Sequence, residues 1–151
     1  MGRVELVVRT EGTFRRLYAL KRLLENLREE EELRESFLDE ARIAGLLRHP
    51  NVVSVLDVGE DIDGPFLLME FIEGLSLGKF LQMHVKRDRE LPLQVCLQIG
   101  IQAAAGLEAA HALCAPDGTH LKLVHRDVSP PNLLLGYDGL VRVTDFGVAK
   151  A

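Results

Sequence analysis

Three polar residues in the last third of the chain have types and spacing that could perform one chemistry together. His125-Arg126-Asp127 is followed, five residues after the aspartate, by Asn132, and Asp145-Phe146-Gly147 begins eighteen residues after it. Two carboxylates and a carboxamide set around a turn offer what phosphoryl transfer from ATP requires. One carboxylate accepts the proton of an attacking hydroxyl, while the amide oxygen and the second carboxylate hold Mg²⁺ on the phosphates. Hard oxygen ligands suit magnesium, and no Cys/His arrangement in the chain suits zinc. A single acidic residue beside a turn is more often a cap or a solvated group; seven fixed identities in register are far harder to supply by chance.

Such residues need elements to hold them. Arg3 to Arg9 and Leu17 to Leu23 read as strands separated by the turn Glu11-Gly12-Thr13. Glu25 to Glu35 is a solvated charge run, either a surface helix or a mobile connection. Phe37, Ala41, Ala44 and Leu47 mark one helical face, and His49-Pro50-Asn51 stops that helix because the residue before proline avoids the helical region. Strands are expected at Val52 to Val58 and Phe66 to Ile72. After Glu73-Gly74 the pattern turns helical, over Leu75 to Val85 and again over Leu93 to Leu113. The longer helix has an apolar stripe through Val95, Ile99, Gly106, Ala109 and Leu113, with Gln102 as its exception. Two short strands, Leu133 to Leu135 and Leu140 to Val143, flank Asp138-Gly139, a hairpin signal. The first half is therefore mainly sheet and the second mainly helix with a terminal hairpin. The boundary falls near Gly74, and a cleft between two such parts is a favoured place for a ligand.

Composition narrows the classes. At 151 residues, 47% hydrophobic and 27% charged, the chain suits one soluble globular domain. A net charge of −5 and an aromatic content of 5% without tryptophan argue against nucleic-acid binding. The longest mostly apolar stretch, Leu97 to Leu107, is too short to span a bilayer, and no signal-peptide pattern opens the chain. Cys96 and Cys114 read as free thiols packed in an apolar helical stretch, which points to a reducing, cytoplasmic setting.

With these motifs in place, the chain resembles the eukaryotic-type protein kinases, over essentially all of its residues. Tyr18-Ala19-Leu20-Lys21 looks like the family's A-x-K strand, which makes Lys21 the lysine on the α- and β-phosphates. Phe37 to Arg42 looks like the start of helix C, with Glu40 the lysine's partner. Leu46 to Asn51 matches the family's helix-to-strand corner. Leu67 to Gly74 looks like the hinge, with Met69 as gatekeeper. The resemblance implies that the Glu70 carbonyl and Ile72 amide hold the adenine edge, and that Ala19, Val4 and Leu134 sandwich its faces. Met1-Gly2-Arg3-Val4 supplies the last four positions of the phosphate loop, which brings Gly2 into the nucleotide site. It also makes His125 a structural residue beneath the catalytic loop and Arg126 the arginine that binds a phosphorylated activation loop. Taken singly, Lys21 and Glu40 are also open to the plainer reading of surface residues.

The resemblance implies an α+β, protein-kinase-like two-lobed fold, truncated. Residues 1–73 form the small lobe without its first strand, with the hinge at 70–74, and 74–151 form the first part of the large lobe. Ser129-Pro130 stands where Lys-Pro is usual after the catalytic aspartate, yet the string Val124 to Asn132 resembles bacterial Ser/Thr kinases. The expected activity is transfer of the ATP γ-phosphate to a protein hydroxyl. Asp127 is the base, Asn132 and Asp145 are the Mg²⁺ ligands, and Lys21 with Glu40 positions the phosphates; the segment alone is expected to be weak or inactive. Two alternatives stay open: a pseudokinase or docking module that binds nucleotide without chemistry, and a small-molecule phosphotransferase of related fold.

Overall fold

A computed structural model describes residues 2–23 and 30–146 of the chain. Packing divides them into two units: the residues up to Leu47 together with Ser54–Phe71, and Arg48–Val53 together with Ile72–Phe146.

In the first unit, strands β1 (Gly2–Glu11) and β2 (Phe14–Leu23) form a hairpin that turns at Gly12, whose φ of +61° suits a residue without a Cβ. With β3 (Val55–Asp61) and β4 (Gly64–Glu70) they make an antiparallel sheet in the order β1-β2-β4-β3. Both later strands are displaced from the sequence expectation. The tight turn sets their register: the Asp63 amide donates to Asp61 Oδ1 at 2.9 Å, and Gly64 takes a φ of +91°, so pairing starts at Asp61 opposite Gly64. Helix α1 (Glu31–Leu46) carries two acidic residues in its first turn, where the helix dipole favours them. It buries Phe37, Ala41 and Ala44, and Leu47 just beyond is buried too, as the spacing predicts. The earlier part of the charge run, 25–29, lies outside the described residues.

The second unit contains strand β5 (Gly74–Ser76), helices α2 (Leu77–Lys86) and α3 (Leu93–His111), a 3-10 turn (Pro130–Asn132), and strands β6 (Leu133–Gly136) and β7 (Val141–Val143). Its sheet runs β5-β6-β7. Leu75 is therefore strand, not helix. Ser76 sets the change, since its Oγ accepts from the Lys79 amide at 3.2 Å and caps α2. Gly74 is required there because a Cβ would run into the Leu135 carbonyl. The expected hairpin turns at Gly139, with φ +83°.

Val52 and Val53, read as the start of a strand, pair instead with β7. The Val53 amide donates to the Val143 carbonyl and the Val143 amide to the Asn51 carbonyl, both at 2.9 Å. Beside them, α3 buries Ala103, Gly106 and Ala110, so the buried stripe is rotated from the predicted one and Val95 is 37% exposed. Gln102, the exception in that stripe, has a structural reason to be polar. Its Oε1 accepts from Asn51 Nδ2 and from the Val141 amide, both at 2.9 Å. Asn51 Nδ2 also donates to the Val141 carbonyl at 2.9 Å, which satisfies a buried amide.

The cysteines also depart from expectation. Both are free, but both are exposed. Helix α3 ends at His111, so Cys114 falls in the following turn, bridged to His120, and Cys96 sits on the exposed first part of the helix. Among the described residues no helix is long and apolar enough to cross a membrane.

Two consequences are measurable. A Cβ at Gly106 would collide with the Asn51 carbonyl oxygen, a backbone atom that cannot swing aside. Gly106→Ala is expected to cost about 1–3 kcal/mol of stability in urea unfolding. The Asp138 carboxyl, held by Arg142 and by the Leu140 amide, has its pKa lowered to about 2. A depressed carboxylate stabilises the fold above its ordinary pKa, and that contribution disappears as pH falls through the depressed value. The penalty of Asp138→Asn should thus be largest near pH 6 and shrink between pH 4 and 2, as read by denaturant midpoints across that range.

Candidate active site

In the second unit the chain between α3 and β6 folds around one imidazole. His125 is 2% exposed. Its Nε2 lies 2.7 Å from the Thr144 carbonyl and must donate to it, and its Nδ1, 3.2 Å from the Asp127 amide, must accept. The ring is therefore held with its proton on Nε2. Phe146 packs against it with centroids 4.7 Å apart. One side chain thus ties the segment carrying Asp127 to the segment carrying Asp145.

Asn132 makes the second tie. The Pro130-Pro131 pair presets the backbone of the short turn, which closes with the Asn132 amide on the Ser129 carbonyl at 2.9 Å. From there Asn132 Nδ2 donates to the Asp127 carbonyl at 3.0 Å and to Asp127 Oδ2 at 3.2 Å. The Asn132 carbonyl accepts from the Thr144 amide at 3.0 Å. Asp127 is exposed, and Asn132 and Asp145 are half-buried. Two left-handed non-glycine residues, Arg126 and Asp145, both at φ +62°, flank this circuit. Backbone in that region is held against its preference, and such positions concentrate at functional sites.

The donor set fits magnesium. With Nδ2 committed to Asp127, Asn132 keeps Oδ1 for a cation, and Asp145 supplies a carboxylate. Among the described residues no cluster of three or more His, Cys, Asp or Glu could hold a metal by itself. One or two oxygen side chains that rely on phosphate oxygens for the rest is the usual arrangement for Mg²⁺.

The first unit gathers several of the residues proposed for nucleotide binding onto one sheet face. Lys21 lies opposite Val4 on one side and Leu67 on the other, and Ala19 lies opposite Met69. Directly paired residues share a face, as do residues two apart on one strand, so Val4, Ala19, Lys21 and Met69 all point the same way. Lys21 is only 8% exposed, Met69 is buried and Val4 is 55% exposed. Glu40 is half-buried on α1, three residues past the core residue Phe37. Gly2 pairs with Leu23 at the end of the ladder. Glu70 belongs to the other face. Its amide donates to the Ser54 carbonyl at 3.0 Å, and its Oε1 accepts from the Ser54 amide at 2.7 Å, which pins the end of β4.

Ile72 and Leu134 fall in the second unit, both half-buried, with Leu134 on β6 opposite Ser76 and Arg142. Met1 and Gly147 lie outside the described residues. Three residues that support the site were not singled out for it in the sequence: Thr144, Asn51 and Gln102. Gln102 left a signal as a polar residue in an apolar stripe, and Asn51 as the last residue of the helix-to-strand corner; Thr144 left none.

Comparison with known proteins accounts for this geometry. The whole chain, residues 1–151, matches the model of the protein kinase domain, and the chain belongs to that family. It is 40% identical to the tyrosine-protein kinase MasK of Myxococcus xanthus over 138 residues, 91% of this chain and 21% of the relative. It is 38% identical to the serine/threonine-protein kinase PksC of Streptomyces coelicolor over 135 residues, 87% of this chain and 23% of the relative. Among solved structures, the PknI kinase domain of Mycobacterium tuberculosis superposes with a TM-score of 0.76 at 31% identity, over 99% of this chain and 55% of that one. The chain thus spans about a fifth of the length of these curated relatives. The α+β kinase fold expected from the sequence is the fold observed.

His125 offers a direct test. Replacing it with leucine would leave the part-buried Thr144 carbonyl and the Asp127 amide without their partner. Each such loss costs about 1–3 kcal/mol, so His125→Leu is expected to lower stability by about 2–4 kcal/mol in urea unfolding. A loss below about 0.5 kcal/mol would show that the imidazole does not hold the two segments together.

Proposed function

We propose that this chain is the ATP-binding and catalytic part of a protein serine/threonine kinase, which transfers the γ-phosphate of ATP to a hydroxyl of a protein substrate. The observation that carries the reading is the contact between the Asn132 amide and the Asp127 carboxylate, with the Thr144 backbone closing on Asn132 from the other side. On this reading, residues 1–73 form the small lobe, with the hinge at 70–74, and residues 74–151 belong to the large lobe.

Phosphoryl transfer needs little covalent chemistry from the protein, so the roles are positioning and charge compensation. Asp127, exposed but tethered by Asn132, orients the substrate hydroxyl and accepts its proton. The tether restricts the carboxylate before substrate arrives, which lowers the entropy lost in the reacting complex. Asn132 Oδ1 and the Asp145 carboxylate hold Mg²⁺, which supplies neutralisation of the phosphate charge. Lys21, on an apolar strand face where a cation is held at a cost, takes the α- and β-phosphates, and Glu40 keeps it in place. Val4, Ala19 and Leu134 contact the adenine faces, Met69 limits the pocket behind the ring, Gly2 approaches the phosphates, and the Glu70 carbonyl and Ile72 amide meet the ring edge.

The choice of serine and threonine as acceptors is supported by the string Val124 to Asn132 and by relatives such as PksC. MasK, named a tyrosine kinase, makes the acceptor a necessary part of the test. Purified full-length protein incubated with Mg²⁺ and γ-³²P-ATP should label itself or a generic protein substrate, with phosphate recovered on serine and threonine. Asp127→Asn is expected to lower the rate by about 10²–10⁴-fold with the ATP-dependent thermal shift retained. Lys21→Met should lose that shift. Equal labelling by wild type and Asp127→Asn would overturn the assigned base, and recovery on tyrosine alone would overturn the acceptor class. A thermal shift without labelling would favour a nucleotide-binding docking module.

A further inference from the structure

We infer that the second unit carries a binding site for a small, uncharged, apolar effector molecule, apart from the residues assigned to catalysis. A groove of about 450 Å³ opens between the first turns of α3, the strand-to-helix corner at α2 and the β6–β7 hairpin. Leu75 and Phe80 form one wall, Val95 and Ile99 another, and Leu135 and Leu140 the floor. The volume lies in the range of small-molecule sites, roughly 300–1,000 Å³, and a stable protein partner would demand a far broader surface.

The lining specifies the ligand. Among the described residues no Asp, Glu, Lys, Arg or His lines the groove, so an ion entering it would lose its hydration with no countercharge to replace it. Nucleotides and phosphorylated peptides are therefore excluded. Gln94 and Gln98, one helical turn apart at the rim, have side-chain amides that make no hydrogen bond among the described residues. They can serve one carbonyl or hydroxyl on an otherwise apolar molecule. Gln102, a turn further on, is committed to Asn51 and Val141 and closes the groove at that end. The partial exposure of Val95, unexpected for a residue in an apolar stripe, is the mouth of this groove.

The floor gives the site its reach. Strand β6 begins one residue after Asn132, β7 ends two residues before Asp145, and Val141 of β7 is itself part of the lining. A molecule seated in the groove therefore bears on the hairpin that carries both proposed metal ligands; this part rests on the kinase reading above. Occupation should change nucleotide affinity, and Mg·ATP should change the effector's affinity by the same factor.

N-phenyl-1-naphthylamine, neutral and fluorescent in apolar surroundings, is a suitable probe. Titrated into the full-length protein, it is expected to show saturable binding at one site. Val95→Glu places a charge at the mouth, and Gln98→Trp fills the groove from its rim. Each should weaken binding by about tenfold or more while the thermal unfolding midpoint stays unchanged. Saturating Mg·ATP should shift probe affinity by about fivefold or more. Absence of saturable binding, or wild-type affinity retained by both variants, overturns the site. Probe affinity unchanged by Mg·ATP, in protein whose own thermal shift shows ATP bound, overturns the effector role. Failure to bind ATP at all would instead count against the kinase reading, and the probe titration would still decide whether the groove binds.

Discussion

The second unit depends on the two hydrogen bonds of one buried ring. His125 needs an acceptor at Nε2 and a donor at Nδ1, and the chain supplies both from its own backbone, at Thr144 and at Asp127. Because each nitrogen has a fixed role, the ring cannot flip without leaving the Thr144 carbonyl and the Asp127 amide unsatisfied. The segments before the 3-10 turn and after β7 are thereby set in one relation. Asn132 then adds its own tie to each of them. Polar residues on either side of the β6–β7 hairpin are brought into one small region largely by backbone groups, which are present whatever side chains surround them.

The first unit solves a different problem. A lysine is placed on a strand face that also presents Ala19 and Met69, and on β4 the directly opposed residue is the buried Leu67. Apolar neighbours hold the long aliphatic stem in one direction, and the sheet register fixes where along the strand it emerges. Met69 and Ala19 are cross-strand partners, so the small residue faces the large one beside the lysine. The β3–β4 pairing is fixed away from this face, by the Asp61–Gly64 turn and by the grip of Glu70 on Ser54.

Much of this was legible in the residues. Fixed identities at fixed spacing carried Asp127, Asn132 and Asp145, and alternation carried the shared face of Ala19 and Lys21. The helical face of α1 could be read from four residues, because apolar spacing in an amphipathic helix reports burial directly. What could not be read was long-range. Val52 and Val53 look like the start of a strand and do pair, but with β7, some ninety residues later. Leu75 has a helical neighbourhood and becomes a strand because β6 offers it a ladder. The stripe on α3 was rotated because alanine and glycine, weak signals of hydrophobicity, form the buried contact where Asn51 passes close to the helix. Gln102 and Thr144 act through partners that no local pattern reveals.

The left-handed backbone at Asp145 has a consequence for how this position tolerates change. Short polar side chains and glycine accept that conformation, whereas branched or bulky ones strain it. On the proposed kinase reading, two independent filters therefore act on the same codon, one geometric and one chemical. Asparagine passes the first and half satisfies the second, and glycine passes only the first. Valine or isoleucine fails both. Natural variants that retire the chemistry while preserving the scaffold should therefore drift toward asparagine or glycine here, and a β-branched residue would mark a chain whose hairpin has been rebuilt.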